Sequence, residues 1–137
     1  MKIQQLIDDV YIADQINISD IKKLRELGIQ SIINNRPDNE ESAQENTEKN
    51  SQPLSADIAT SAAAINIDYY YLPVISGNYP VNTIREFTEL LNKAKSPVLV
   101  FCRTGNRSVN LWALSQTPKF GRQYVLTKAK GIGFDIS

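Results

Sequence analysis

Seven consecutive residues, Cys102-Arg103-Thr104-Gly105-Asn106-Arg107-Ser108, place the only cysteine of a 137-residue chain beside two arginines and a glycine. Cysteine acts as a nucleophile through its thiolate, which fixed positive charge and converging amides favour. Arg103 and Arg107 supply that charge together with forked donors. Gly105 lets the backbone turn tightly, so that successive amides of Arg103, Thr104, Gly105 and Asn106 can form an anion-binding nest. The chain contains no histidine. Every mechanism in which imidazole activates serine or cysteine is thereby excluded. A lone cysteine at a strand end is most often inert core. The glycine and the two arginines outweigh that base rate, and the segment reads as an anion-cradling loop with Cys102 as nucleophile.

The flanking pattern explains how such a loop is held. Pro97-Val98-Leu99-Val100-Phe101 is the most apolar strand candidate, and Cys102 follows it directly. Ser108 to Leu114 then reads as a helix with Val109, Leu111, Trp112 and Leu114 apolar. The loop therefore lies at the carboxyl end of a strand and the N-terminus of a helix, where open parallel sheets bind ligands and anions. Upstream, Val10–Ala13 is β-prone. Ile21, Leu24 and Leu27 are spaced for a helix, with Ser19 as N-cap and Gly28 as stop. Ile29–Ile33, between Gly28 and Pro37, suits a buried strand. Helical spacing recurs over Leu54–Ile65, with Ser55 or its predecessors as cap, and over Val81–Ala94, with strand Asp68–Val74 between them. A last helix, Tyr124–Lys130, is broken by Gly131 and Gly133. The alternation predicts an α/β fold with a mainly parallel central sheet flanked by helices, as one domain over residues 1–137. Residues 39–54 are nearly all polar, and a mobile surface loop is expected there.

Composition narrows the partners. Fifteen basic residues balance fifteen acidic ones, so neither nucleic acid nor an anionic membrane is expected as a general partner. The start of the chain lacks the apolar core of a signal peptide, and no apolar run reaches the ~18 residues of a membrane span. The expected location is the cytoplasm, where a single thiol stays reduced. One cysteine without histidine rules out the usual zinc sites. No metal or organic cofactor is implied; the expected partner is a small anionic substrate.

Phe101 to Ser108 resembles the active loop of rhodanese-type sulfurtransferases, in which the cysteine accepts sulfane sulfur as a persulfide. Over nearly the whole chain, Ile32-Ile33-Asn34-Asn35-Arg36-Pro37-Asp38, Tyr71-Leu72-Pro73-Val74 and the cysteine loop running into Leu111-Trp112-Ala113-Leu114 are similar to the phosphatase-like domain of beta-lactamase-hydrolase-like proteins. That resemblance implies a dual-specificity-phosphatase-like fold in a family labelled both phosphatase and sulfur transferase. It also implies that Arg36 lines the pocket as an anion contact, with Asp38 as a candidate acid. Ser108 would then bond the thiolate, although it suits the N-cap of the Trp112 helix equally well.

Three departures from the phosphatase pattern favour sulfur transfer. Four residues, not five, separate Cys102 from Arg107, and a shorter ring suits a smaller electrophile. Phe101 stands where histidine usually precedes the cysteine. No carboxylate stands near Ile75-Ser76, where the acid of phosphatases is expected. Loss of an acid costs an alkoxide leaving group about 10²–10⁴-fold, whereas persulfide transfer expels a thiolate without one. The sequence thus reads first as a sulfurtransferase-like enzyme carrying a Cys102 persulfide. Arg103 would attract anionic donors such as thiosulfate. Phosphomonoester hydrolysis through a phosphocysteine is the alternative, and a silent anion-binding or redox-sensing module a further one. Arg36-Pro37-Asp38 fits a turn as well as a pocket wall. Asn34 and Asn35 fit either role too. Tyr69–Tyr71 and Trp112 read as sheet surface and core.

Overall fold

The computed structural model describes residues 1–40 and 52–136. Most of the expected polar loop therefore lies outside the described residues. Five strands form one sheet: β1 (Ile3–Ile7), β2 (Val10–Ala13), β3 (Ser31–Asn34), β4 (Asp68–Tyr71) and β5 (Val98–Phe101). Their order is β1-β2-β5-β3-β4. β1 and β2 are antiparallel, and the pairs β2–β5, β5–β3 and β3–β4 are all parallel. The helices are α1 (Asp20–Glu26), α2 (Ser55–Ala63), α3 (Val81–Lys93), α4 (Asn106–Phe120) and α5 (Arg122–Gly131). The α/β fold with a mainly parallel sheet is as expected.

β5 is apolar throughout because both of its faces are covered. Val98 and Val100 join a core with Phe87, Trp112 and Val125, on the side of α3, α4 and α5. Leu99 and Phe101 join a second core with Ile21, Leu24, Ile58 and Ala62, on the side of α1 and α2. Side chains alternate faces along a strand, so two buried faces demand an unbroken apolar run. Ile32 and Ile33 divide between the same two cores. Burying both faces of its middle strands fixes the register of the sheet, since a one-residue slip would exchange the two sets.

The structure departs from expectation at element ends. Residues 3–7 form a strand that the short, mostly polar start did not announce; pairing with β2 makes it one. α4 begins at Asn106 and runs to Phe120, past the expected end at Leu114. Pro118 lies inside it. Proline removes one intrahelical donor, to the carbonyl of Leu114, and Leu114 is exposed, so water can satisfy that carbonyl. β4 stops at Tyr71 because Pro73 has no amide, while the Leu72 and Val74 amides still donate to the Asn34 and Asn35 carbonyls. Ser19 occupies the N-cap position of α1 without a side-chain bond. Asp20 receives the Asn17 amide instead, at 2.8 Å.

Candidate active site

The carboxyl ends of β5, β3 and β2 carry Cys102, Asn35-Arg36 and Asp14-Gln15, and these meet around the first turn of α4. Parallel pairing aligns Ala13, Phe101 and Asn34 across the sheet. The Asn35 amide continues the ladder to the Phe101 carbonyl at 2.8 Å, and the Gln15 amide reaches the Arg103 carbonyl at 3.1 Å. The cysteine loop is thus stitched to both neighbouring strand ends.

Cys102 is fully buried, and its Sγ accepts the Gly105 amide at 3.1 Å. Gly105 is the N-cap residue of α4 with φ +97°, a conformation that side chains disfavour. The sulfur therefore sits before the amino end of a 15-residue helix, where unpaired amides and the helix dipole favour negative charge. Arg103, Thr104 and Asn106 are on the exposed side of the loop. The Thr104 hydroxyl accepts the Asn106 amide at 3.3 Å.

Arg107 is buried in the first turn of α4. Its Nη1 donates to Glu40 Oε2 at 2.8 Å and to the Val74 carbonyl at 2.9 Å, and Nη2 donates to Glu40 Oε1 at 2.7 Å. A guanidinium has five N–H donors. The Nε hydrogen and the second Nη2 hydrogen make up the side edge of the fork, which neither Glu40 nor Val74 uses. Burial opposes the charge on Arg107, but the hydrogen bond to Glu40 and the charges of Cys102 and Glu40 outweigh it and raise its pKa.

Arg36 meets the same carboxylate as Arg107. It is 1% exposed, with Nε on Glu40 Oε1 at 3.1 Å and Nη1 on Gln15 Oε1 at 2.9 Å. Glu40 was missed in the sequence because it opens the polar stretch; its place four residues after Arg36 was the available signal. Burial alone would raise its pKa. The hydrogen bonds and charges of Arg107 and then Arg36 overcome this and hold Glu40 below its ordinary 4.5. Glu40 is thus an ionised clasp across two arginines.

Asp38 is tied to the start of α2. Its Oδ1 accepts the Ser55 amide at 2.8 Å, satisfying an orphan donor at the start of α2. As expected, the residue before Ser55 holds the N-cap position of α2; Leu54 has no side chain able to cap, and Asp38 supplies the bond instead. The Asp38 amide is held by Tyr71 Oη at 2.8 Å, and Tyr69 Oη joins Ser55 Oγ at 2.6 Å. These tyrosines brace the turn from β4. Ser108 lies within α4, so Gly105 and not Ser108 is its N-cap. The buried Ser108 hydroxyl donates to Asn35 Oδ1 at 2.8 Å, and Asn35 Nδ2 donates to the Leu72 carbonyl at 2.9 Å. Asn35 is therefore polar wall. Tyr79, on the loop after β4, was also missed. Burial raises its pKa, as does the charge of nearby Cys102, with opposing effects of the Gly77 backbone and Arg107.

The family described as "Beta-lactamase hydrolase-like protein, phosphatase-like domain" matches residues 2–119. The chain belongs to this family. A beta-lactamase hydrolase-like protein of Agrobacterium fabrum is 33% identical over 99% of the chain, and the chain spans 30% of that relative's length. Among solved structures, a candidate phosphatase of Neisseria meningitidis Z2491 is 28% identical with a TM-score of 0.80, over 96% of this chain and 88% of that one. P. aeruginosa TpbA, solved with pTyr, is similar at a TM-score of 0.66 and 14% identity, over 92% of this chain and 70% of that one. The last likeness shows the fold alone. The phosphatase-like domain thus has the cysteine-phosphatase type of fold that the resemblance implied. Nothing in these comparisons carries the sulfur-transfer reading. No helix among its described residues is long and apolar enough to cross a membrane.

Proposed function

We propose that this phosphatase-like domain hydrolyses phosphoryl groups through a phosphocysteine on Cys102. The observation that carries the reading is the Cys102 sulfur held on the Gly105 amide at the head of α4, with Arg107 in the first turn of that helix keeping its Nε and second Nη2 hydrogens clear of Glu40 and Val74. Two parallel donors at that spacing match two oxygens of a phosphoryl group. The Cys102 sulfur attacks phosphorus; the S–P bond forms and the P–O bond to the leaving group breaks. Loop amides and Arg107 hold the equatorial oxygens as charge spreads over them. Water then attacks phosphorus, the S–P bond breaks, and phosphate and the thiolate are released. Arg36 acts through Glu40, keeping the clasp in place. Ser108 and Asn35 fix the loop from beneath, and Arg103, Thr104 and Asn106 contact the remainder of the substrate. The bond of Asp38 to Ser55 and the ionised state of Glu40 leave both poorly placed to protonate a leaving group. Aryl phosphates, whose leaving groups are weak bases, therefore suit the site better than alkyl phosphates. The pTyr bound by TpbA is of that class.

A second reading has its own support. The four-residue spacing between Cys102 and Arg107 and the engagement of both nearby carboxylates also suit sulfur transfer. Cys102 would take the sulfane sulfur of thiosulfate, expel sulfite, and pass the sulfur to an acceptor thiolate or cyanide. Purified protein is assayed with 4-nitrophenyl phosphate, with a phosphotyrosine peptide, and with thiosulfate plus cyanide. Phosphate release that disappears in Cys102→Ser supports the first reading. Thiocyanate formation with no phosphate release replaces it with the second.

A further inference from the structure

We propose that Phe134 is a positioning residue of the cysteine loop, its ring holding Gly105 where the Gly105 amide donates to Cys102. The inference rests on Cys102 as nucleophile and holds for either electrophile.

Gly105 makes the contact to the sulfur, N to Sγ 3.1 Å, so the position of its backbone sets the strength of that bond. A methyl group built on Gly105 would lie 3.0 Å from Phe134 Cζ, 3.1 Å from Ile12 Cγ2 and 3.6 Å from the Ala13 carbonyl. Glycine is therefore wedged between β2 and the ring. Ile12 cannot yield, because it is fixed in the sheet opposite Val100. The other jaw comes from the far end of the chain. After α5, the Gly133 and Phe134 amides turn back onto the Lys130 and Ala129 carbonyls at 2.9 and 3.0 Å. Gln4 Nε2 of β1 grips the Ile132 carbonyl at 2.9 Å. The tail is thus anchored on two sides, and Phe134 packs against the core that contains Ile12. Beside the ring lies a cavity of about 110 Å³ lined in part by Ile12, Thr104 and Phe134. Removing the ring would give Gly105 open space to enter, and its amide would drift from the sulfur.

Phe134→Ala and Phe134→Met are compared with the parent chain, with far-UV circular dichroism to verify folding. Two readouts are taken: the rate of Cys102 alkylation by iodoacetamide at pH 7, followed by intact mass, and kcat with KM on whichever substrate the parent turns over. Small misplacements of reacting groups cost 10–10²-fold, so Phe134→Ala is expected to lower kcat about tenfold with KM within about twofold. Its alkylation slows as well, because the sulfur loses the amide that holds it at the head of α4. Phe134→Met, which refills the space, returns both rates to within about threefold of the parent. Alkylation at the parental rate in folded Phe134→Ala overturns the proposal, as does a Phe134→Met chain as slow as the alanine variant. Should Phe134→Ala not fold, Phe134→Leu is judged by the same criterion. A parent that turns over neither phosphate ester nor thiosulfate defeats the proposed function, and the alkylation comparison still decides the role of Phe134.

Discussion

Arg107 and Glu40 meet fork to carboxylate, Nη2 to Oε1 at 2.7 Å and Nη1 to Oε2 at 2.8 Å, and Arg36 reaches the same Oε1 at 3.1 Å. The carboxylate fixes the Nη1–Nη2 end of the Arg107 fork. Arg107 is thereby oriented before any substrate arrives, and orienting charge in advance is a large part of electrostatic catalysis.

This clasp has a pH signature. The folded pKa of Glu40 lies below its ordinary 4.5, so its stabilising contribution is present above pH 4.5 and is lost as pH falls through the folded value. Thermal melts of the parent and Glu40→Gln should therefore differ most above pH 4.5 and converge as pH falls through the folded value. The difference should be small, because the Glu40 side chain is 31% exposed and solvent screens such pairs. A gap that does not narrow as the pH is lowered below 4.5 contradicts the clasp.

Arg107→Lys keeps the charge but loses the fork. Lysine cannot serve Glu40, the Val74 carbonyl and a phosphoryl group in one plane. Steady-state kinetics on 4-nitrophenyl phosphate should show kcat reduced by about 10²–10³-fold. A change under threefold would mean that Arg107 acts as a point charge alone.

Asp38→Ala separates capping from acid catalysis. As the partner of the Ser55 amide, Asp38 contributes about 0.5–2 kcal/mol, the usual range for a helix cap. Urea unfolding should show that loss, while kcat on an aryl phosphate changes less than about threefold. Loss of one limb of the kcat–pH profile, without loss of stability, would instead make Asp38 the acid.

Cys102→Ser should retain the fold, since oxygen replaces a sulfur of similar shape, and should lose turnover by more than about 10³-fold. Incubation with thiosulfate followed by intact-mass measurement completes the comparison. One added sulfur atom on the parent, absent from Cys102→Ser, demonstrates a persulfide.

The alternation of apolar strands and amphipathic helices was legible in the sequence because side-chain period follows directly from backbone geometry. The nucleophile loop was legible for a similar reason. Cys102, Gly105 and Arg107 are neighbours in the chain, so their chemistry could be read from local order. Arg36 could be proposed only through family resemblance, and the structure joins it to Arg107 through Glu40. Asp38 illustrates the limit: Pro37-Asp38 announced a turn, but only the packing of α2 against β4 brings the Ser55 amide to its carboxylate. Glu40 and Phe134 were silent for the same physical reason. A salt bridge or a ring contact is specified by where two distant segments arrive, and no local periodicity records that arrival. The sequence by itself determined the parallel strands, the helices and the cysteine loop at their junction, but not the edge strand β1. The tertiary structure decided which carboxylate clasps Arg107, which one caps a helix, and which ring bears on Gly105. Those partners lie on separate segments, and strand order together with the packing of helices, loops and tail sets their distances.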